Sequence, residues 1–299
     1  MFFIAKFVNN NFSKREEKTM KKFLAILLCA VMVLGLAACG DDNTGVSSSS
    51  EEVFTRPVMT HESVTTGEAE TTQETTFNEF AQEVEDYYND INPVVLSTMT
   101  HIGFSSQVEN PIVIVFVVEK DYDNDQMVAL KESLLEAMQY INEEVYVGLV
   151  SYDETVQIDL TIGKFDAMQK AFFCDAIEGF NADRSGSAVN DAIIVGAKLL
   201  LDASAEIPDA QLFLFAITDA RIGGGHCDEG DTARVLGNFA EVINAVTVIY
   251  GDGGNAKLLN HLKHLSARNV AQRVIYHYEV DADTIADTIS QTLKIIIGS

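Results

Sequence analysis

The sequence predicts an α/β domain with one doubly wound, mostly parallel sheet of about six strands and helices on both faces. Two observations predict this fold. From Pro111 to the C-terminus, short apolar runs rich in β-branched residues alternate with stretches of helical periodicity. Two of the runs, 111–118 (PIVIVFVV) and 211–218 (QLFLFAIT), are apolar throughout, which is typical of strands covered on both faces.

The individual elements follow in chain order. Strands are predicted at 111–118, 145–151, 155–160, 211–218, 246–250 and 274–278. Helices are predicted at 127–141, 165–178, 187–203, 231–244, 255–267 and 281–297, where apolar residues recur at helical spacing. A short turn beginning at Tyr152 separates the second strand from the third, so we expect a hairpin whose third strand is an antiparallel edge strand.

A further helix is predicted ahead of this domain. Apolar side chains recur from Phe77 to Tyr88 with the spacing of one helix face, and Pro93 ends the pattern. We therefore expect residues 77–107 to form an N-terminal helical extension. Its apolar face packs either on the main domain, residues 108–299, or on a partner.

The N-terminus has the features of an export signal. A basic start and an apolar run too short to span a bilayer end in Leu36-Ala37-Ala38-Cys39. This ending resembles the bacterial lipobox, which implies that residues 1–39 are a signal peptide with its lipobox. The resemblance also implies that Cys39 receives diacylglycerol and palmitate. The alternative is an ordinary secretory signal. A normal signal begins at the second methionine, Met20, which we expect to be the true start.

Residues 40–76 are rich in Ser, Thr, Glu and Asp and poor in aliphatic side chains. Such a segment buries too little surface to offset the entropy lost on ordering, so it is predicted to be a disordered tether. The tether would hold the domain away from a cell membrane, on its extracytoplasmic face.

Charge and cysteine content restrict the partners and the chemistry. The formal net charge is −25, and such an acidic surface repels nucleic acid and favours cations, basic protein faces or neutral glycans. Apart from Cys29 and Cys39 of the signal, the cysteines are Cys174 and Cys227. Two cysteines exclude a disulfide framework, and either one bridge or two free thiols is compatible with the sequence.

Several local patterns together resemble the von Willebrand factor type A (vWA) domain. The fourth predicted strand leads into 215–220 (FAITDA), where that family has a similar strand closing on Thr-Asp-Gly. The first strand ends in an acidic loop at 119–123, the second reads VGLVSY at 147–152, and Gly186-Ser187 opens a helix. The resemblance covers residues 108–299 and implies a vWA or Rossmann-like fold.

In the vWA family, loops at the C-terminal ends of the strands hold a divalent metal in the metal-ion-dependent adhesion site. Five residues of this sequence match the family's ligand positions by the resemblance: Glu119 for the first Asp of Asp-x-Ser-x-Ser, Asp121 and Asp123 for its two serines, Ser187 for the Thr, and Asp219 for the last Asp. Their oxygen atoms suit one divalent cation, Mg²⁺ or Ca²⁺.

The acidic replacements change the electrostatics expected of this site. Up to four carboxylates would more than neutralise one divalent ion and would repel an acidic ligand. Two outcomes stay open: a Ca²⁺-like site whose charge is satisfied internally, and a site without metal whose acidic side chains turn to solvent.

The functional expectation is a binding protein and not an enzyme, since the sequence has no nucleophile elbow, zinc-protease motif or phosphate-binding loop. The partner is expected to be a protein or a cell-envelope component. It would bind at the rim, defined as 119–125, 185–188 and 219–229, where 223–229 is a flexible connection or a mobile specificity loop. The main alternative is a structural or assembly lipoprotein that uses the fold as a metal-free scaffold and binds its partner through 77–91. A third alternative, a solute-binding lipoprotein, would usually need two lobes around a cleft, whereas the sequence predicts the strands of one sheet only.

Overall fold

The computed structural model describes residues 68–97, 110–182, 186–207, 209–251, 254–268 and 276–298. The predicted signal peptide, the predicted lipidation site Cys39 and most of the predicted tether lie outside these ranges. None of the helices within them has both the length and the apolar character that crossing a membrane requires.

In the described part of the chain, seven strands form one sheet. They are β1 (Val94–Val95), β2 (Ile112–Glu119), β3 (Tyr146–Tyr152), β4 (Val156–Lys164), β5 (Gln211–Thr218), β6 (Ile243–Tyr250) and β7 (His277–Val280). Their order across the sheet is β1-β4-β3-β2-β5-β6-β7. β3 and β4 are antiparallel and every other neighbouring pair is parallel, so the predicted mostly parallel sheet is confirmed.

Helices cover both faces of the sheet. They are α1 (Glu68–Ile91), α2 (Asn124–Ala137), α3 (Ala167–Glu178), α4 (Val189–Glu206), α5 (Glu229–Asn238), α6 (Ala256–Arg268) and α7 (Ile285–Ile297). A 3₁₀ turn at Met138–Tyr140 continues α2. Buried side chains of α1, α4, α5 and α6 belong to the core on one face, and those of α2, α3 and α7 to the core on the other. The predicted doubly wound architecture is therefore confirmed.

The edge of the sheet differs from the prediction. Val94 and Val95 of β1 pair in parallel with Gln157 and Ile158, so β4 is antiparallel, as expected, but does not form the outer edge. Two valines directly after Pro93 are too short a run for the alternation of a strand to be recognised.

Helix α1 begins at Glu68 and not at Phe77, inside the segment that we predicted to be a tether. Glu, Ala and Gln in this segment have high helix propensity, and acidic residues in a first turn interact favourably with the helix dipole. The prediction relied on apolar spacing, which the polar sequence from Glu68 to Thr76 lacks. The tether prediction was therefore too long at its C-terminal end.

The apolar side of α1 packs on the domain. Val84 and Ile91 are buried in the core that also contains the apolar residues of α4, and Phe80, Tyr87 and Tyr88 pack partly against it. Of the two arrangements expected for this helix, packing on the domain is the one observed.

Helix α4 lies close to the sheet because Gly196 has no side chain. A Cβ atom at this position would lie 2.7 Å from Cγ2 of Val117 and 2.8 Å from Cδ1 of Leu214. Such contacts are too short for any larger residue unless the packing shifts. The close approach fixes the start of α4, and with it the preceding Ser187, beside the C-terminal end of β2.

Candidate functional site

Side chains from three separate segments meet at the C-terminal edge of the sheet. Glu119 ends β2, Asp219 directly follows β5, and Ser187 precedes α4. Their exposed fractions are 0%, 3% and 0%, respectively. Glu119 accepts a hydrogen bond from the Asp219 backbone N–H. The Ser187 hydroxyl is close enough to lower the pKa of Glu119. The structure thus brings together three of the five residues that the sequence suggested.

Glu119 is held through one of its two carboxylate oxygens. Its Oε2 atom accepts hydrogen bonds from the hydroxyl of Thr218 (2.8 Å), the backbone N–H of Asp219 (2.7 Å) and the hydroxyl of Tyr152 (3.4 Å). Its Oε1 atom is buried without a hydrogen-bond partner, and so is Oγ of Ser187. The Ser187 hydroxyl is near enough to stabilise the Glu119 carboxylate, yet neither oxygen has a hydrogen bond of good geometry. Because buried polar atoms are nearly always well paired, these two oxygens suggest that the site receives a further group.

The same environment raises the pKa of Glu119 from its ordinary value of 4.5 to about 7. Burial is the main cause, and the negative charge of Asp219 adds to it. The hydroxyls of Ser187 and Thr218 and the Asp219 amide lower the pKa by less. The ionised form of Glu119 is therefore destabilised in the folded protein. A positive charge at the site would stabilise it.

Asp219 has a cationic neighbour on its solvent side. Its Oδ1 atom accepts the backbone N–H of Arg221 at 2.8 Å, and its Oδ2 atom lies 3.2 Å from Nε of the same residue. The Arg221 side chain is 51% exposed, whereas that of Asp219 is 4% exposed. An exposed guanidinium can move away at little cost, so Arg221 neutralises Asp219 without closing the site permanently.

The two other predicted ligands lie in the loop after Glu119. Asp123 is exposed and caps α2, because its carboxylate accepts the Gln126 backbone N–H at 2.9 Å while the Gln126 side chain bonds back to the Asp123 N–H. Asp121 is partly buried and has interactions of its own. As metal ligands, these two residues remain predictions.

The charge at the described site is lower than the sequence suggested. Within the described residues, no three His, Cys, Asp or Glu side chains are grouped so that they could hold a metal ion. The buried cluster itself combines the two carboxylates of Glu119 and Asp219 with the Ser187 hydroxyl. These oxygen atoms, two of which have no hydrogen-bond partner, fit a small hard cation such as Mg²⁺ or Ca²⁺. Binding of such a cation remains a prediction.

The rim loop, which we define as residues 221–228, is held by a residue that the sequence analysis missed. Asp191 is 2% exposed in the first turn of α4. Its carboxylate accepts the backbone N–H groups of His226 and Cys227, both at 2.8 Å. Gly225 has a φ of 97°, and a Cβ atom there would lie 2.9 Å from the Asp191 carboxylate. A segment predicted to be a flexible connection or mobile loop thus has defined anchoring contacts.

The two cysteines of the domain are free, so of the two alternatives the bridge is not the one formed. Burial, followed by the charge of Asp191, raises the pKa of Cys227 to about 12. Its thiol is therefore protonated at neutral pH and a poor nucleophile.

Comparison with known proteins identifies the fold. No protein-family model and no curated protein sequence matches the chain. A solved von Willebrand factor type A structure from Catenulispora acidiphila superposes with a TM-score of 0.52 at 16% identity, over 63% of this chain and 43% of that chain. This chain therefore matches less than half of the length of the Catenulispora structure.

Two further solved structures match with lower TM-scores. BatB from Bacteroides thetaiotaomicron has a TM-score of 0.43 at 14% identity, over 63% of this chain and all (100%) of that chain. Proximal thread matrix protein 1 from the mussel byssus, in a structure described as having a zinc-occupied MIDAS motif, has a TM-score of 0.44 at 16% identity, over 64% and 47%. At such identities the likeness concerns the fold alone, and it is a vWA fold, as the sequence predicted.

Proposed function

We propose that this vWA-fold chain is a membrane-tethered binding protein whose rim recognises a protein or cell-envelope partner. The observation that carries the proposal is the convergence of Glu119, Ser187 and Asp219, with two buried oxygens lacking partners, at the C-terminal edge of the sheet. In open α/β sheets this edge is where ligands generally bind. The proposed role is binding and not catalysis, and Cys227, the buried thiol of the rim loop, is poorly suited to nucleophilic attack.

A divalent cation would assist this recognition. Glu119 and Ser187 would hold it through their unpartnered oxygens, and Asp219 would join them once Arg221 moves aside. The bound ion would supply an electron-poor centre for an oxygen ligand from the partner. Two carboxylates balance one divalent ion, so this site would not carry the surplus negative charge expected for four.

Divalent cations should therefore stabilise the protein. With Mg²⁺, Mn²⁺ or Ca²⁺ at about a hundred times its dissociation constant, we expect the melting temperature to rise by roughly 5–10 °C, because an ion that binds only the folded state shifts the unfolding equilibrium. The measurement is thermal unfolding of the full chain with and without each ion, in wild type, Ser187→Ala and Asp219→Ala. Both variants should lose most of the rise.

Glu132→Gln provides the matched control, because Glu132 is an exposed acidic residue of α2 that lies outside the rim, and it should leave the rise unchanged. Equal shifts in all four proteins would indicate ion binding elsewhere on the acidic surface. No shift with any of the three ions would refute the metal-assisted version of the proposal.

We further propose that the chain is anchored through a lipid on Cys39 and faces the extracytoplasmic side of a cell membrane. The support is the lipobox-like ending Leu36-Ala37-Ala38-Cys39. Expressed in a bacterial host, Cys39→Ser should move nearly all of the protein from the membrane fraction to the soluble fraction, as quantified by immunoblotting. Cys29→Ser, which changes a cysteine within the apolar run, should leave it in the membrane. Identical fractionation of Cys39→Ser and wild type would show that another feature holds the chain.

A further inference from the structure

Helix α1 is joined to α5 by a polar cluster centred on Tyr87. The Tyr87 hydroxyl donates a hydrogen bond to Oδ1 of Asp231 at 2.7 Å and accepts one from the Arg234 guanidinium at 2.5 Å. Arg234 also forms an ion pair with Glu83, one turn earlier in α1. These contacts connect residues far apart in sequence, so they fix α1 against α5 in one register.

Asp231 has a second role, at the end of the rim loop. While Oδ1 accepts the Tyr87 hydroxyl, Oδ2 accepts the backbone N–H of Asp228 at 2.9 Å. Asp228 in turn accepts the N–H groups of Gly230 and Asp231, which completes a capping box at the start of α5. One carboxylate therefore connects helix α1 to the last residue of the rim loop.

From Asp228 the contacts continue to the candidate site. Cys227 and His226 donate to Asp191, and the Gly223 N–H donates to the carbonyl of Ser187 at 3.0 Å. Ser187 is one of the three residues that meet at the C-terminal edge of the sheet. These hydrogen bonds, together with the backbone of the rim loop between them, thus connect Tyr87 to Ser187.

We propose that α1 is a latch for the rim loop: the Tyr87 hydroxyl orients Asp231 so that its carboxylate completes the capping box at Asp228 and orders the loop beside Ser187. Docked α1 holds the loop in the observed conformation, and release of α1 loosens it. The expected consequence, that α1 controls partner binding at the rim, rests on the proposed function. The structural link between α1 and the rim loop is independent of that function.

The strength of this latch follows from its chemistry. A hydroxyl that donates to a carboxylate forms a charge-assisted hydrogen bond, which is stronger than a neutral one. Burial and the neighbouring Asp231 hold the pKa of Tyr87 well above its usual value, so the hydroxyl stays a donor over the physiological range. Loss of this donor should favour loop opening while leaving the phenyl ring packed on the core.

Hydrogen–deuterium exchange of the full chain tests the latch. In Tyr87→Phe, the backbone amides of 226–231 should exchange roughly five- to tenfold faster than in wild type, because one hydrogen bond that restrains the loop is lost. Tyr88→Phe is the matched control: its ring lies against Lys198 of α4, its hydroxyl does not bond Asp231, and it should leave these amides unchanged.

Three results would overturn the latch. One is unchanged exchange in Tyr87→Phe, and another is an equal increase in Tyr88→Phe. The third is faster exchange throughout β2 and β5, since Tyr87 would then support the whole fold and not the loop. Because the exchange rates are measured without ion or partner, they test the latch even if the rim proves to bind nothing.

Discussion

In metal-free buffer, wild-type protein should lose about 3 kcal/mol of folding free energy relative to Glu119→Gln as the pH rises from 4 to 8. The folded-state pKa of Glu119, about 7, lies above its ordinary value of 4.5. A group with a raised pKa binds its proton more tightly in the folded state. Its favourable contribution is therefore complete below pH 4.5 and is lost as the pH passes through about 7.

Urea unfolding at closely spaced pH values measures this difference. The neutral amide of Glu119→Gln cannot ionise, so the variant should not show the loss that this one group causes. Glu132→Gln, which changes an exposed glutamate on α2, should follow wild type at every pH. If wild type and Glu119→Gln gave parallel curves, the carboxyl would not have the buried, charge-crowded environment described here.

The second large effect is expected at Asp191. Asp191→Ala should destabilise the protein by about 3 kcal/mol, because the N–H groups of His226 and Cys227 would lose a charged acceptor and a small cavity would form. Asp191→Asn keeps one acceptor oxygen and should cost roughly half as much. Chemical denaturation measures both changes.

Glu206 lies exposed at the C-terminal end of the same helix, so Glu206→Ala is the control for removing an acidic side chain from α4. It should change the free energy of unfolding by less than about 0.5 kcal/mol. A similarly small effect for Asp191→Ala would mean that the rim loop does not depend on this carboxylate.

The fold could be predicted because its strongest signals are local. Continuous apolar runs identified β2 and β5, because a strand buried on both faces is apolar at every position. Helical spacing identified most helices, because a helix buried on one face has apolar residues every three to four positions. The predicted helix 231–244 shows where this fails. Phe239 and Ile243 keep helical spacing, yet α5 ends at Asn238 and Ile243 begins β6. Spacing alone does not reveal that the chain turns between these residues.

The candidate site was only partly predictable, for a different reason. Glu119 and Asp219 could be proposed because they match ligand positions of the vWA family. The structure supplies the physical reason, since they end the neighbouring parallel strands β2 and β5. Asp123 also carried a local signal, since an Asp followed three residues later by Gln126 is typical of a capping box. Asp191 carried no comparable signal beyond being an acid in an apolar helix. Its role depends on a loop that reaches it only after folding.

A preformed oxygen cluster and an anchored loop lie side by side at this edge of the sheet. Glu119 and Ser187 contribute the unpartnered oxygens, and Asp191 and the capping box of α5 hold the adjacent rim loop. Metal, proton and partner would then act on the same few buried atoms. A cation should compete with the proton on Glu119, so its binding should strengthen as the pH rises through about 7.

Anomalous diffraction from crystals of the domain grown with Mn²⁺ at pH 8 tests this account most directly. We predict one strong peak bonded to oxygens of Glu119 and Ser187 at about 2.0–2.6 Å, with Asp219 in the same shell or one water away. Absence of a peak at this edge of the sheet, or oxygens of these residues too far apart to share one ion, would contradict it.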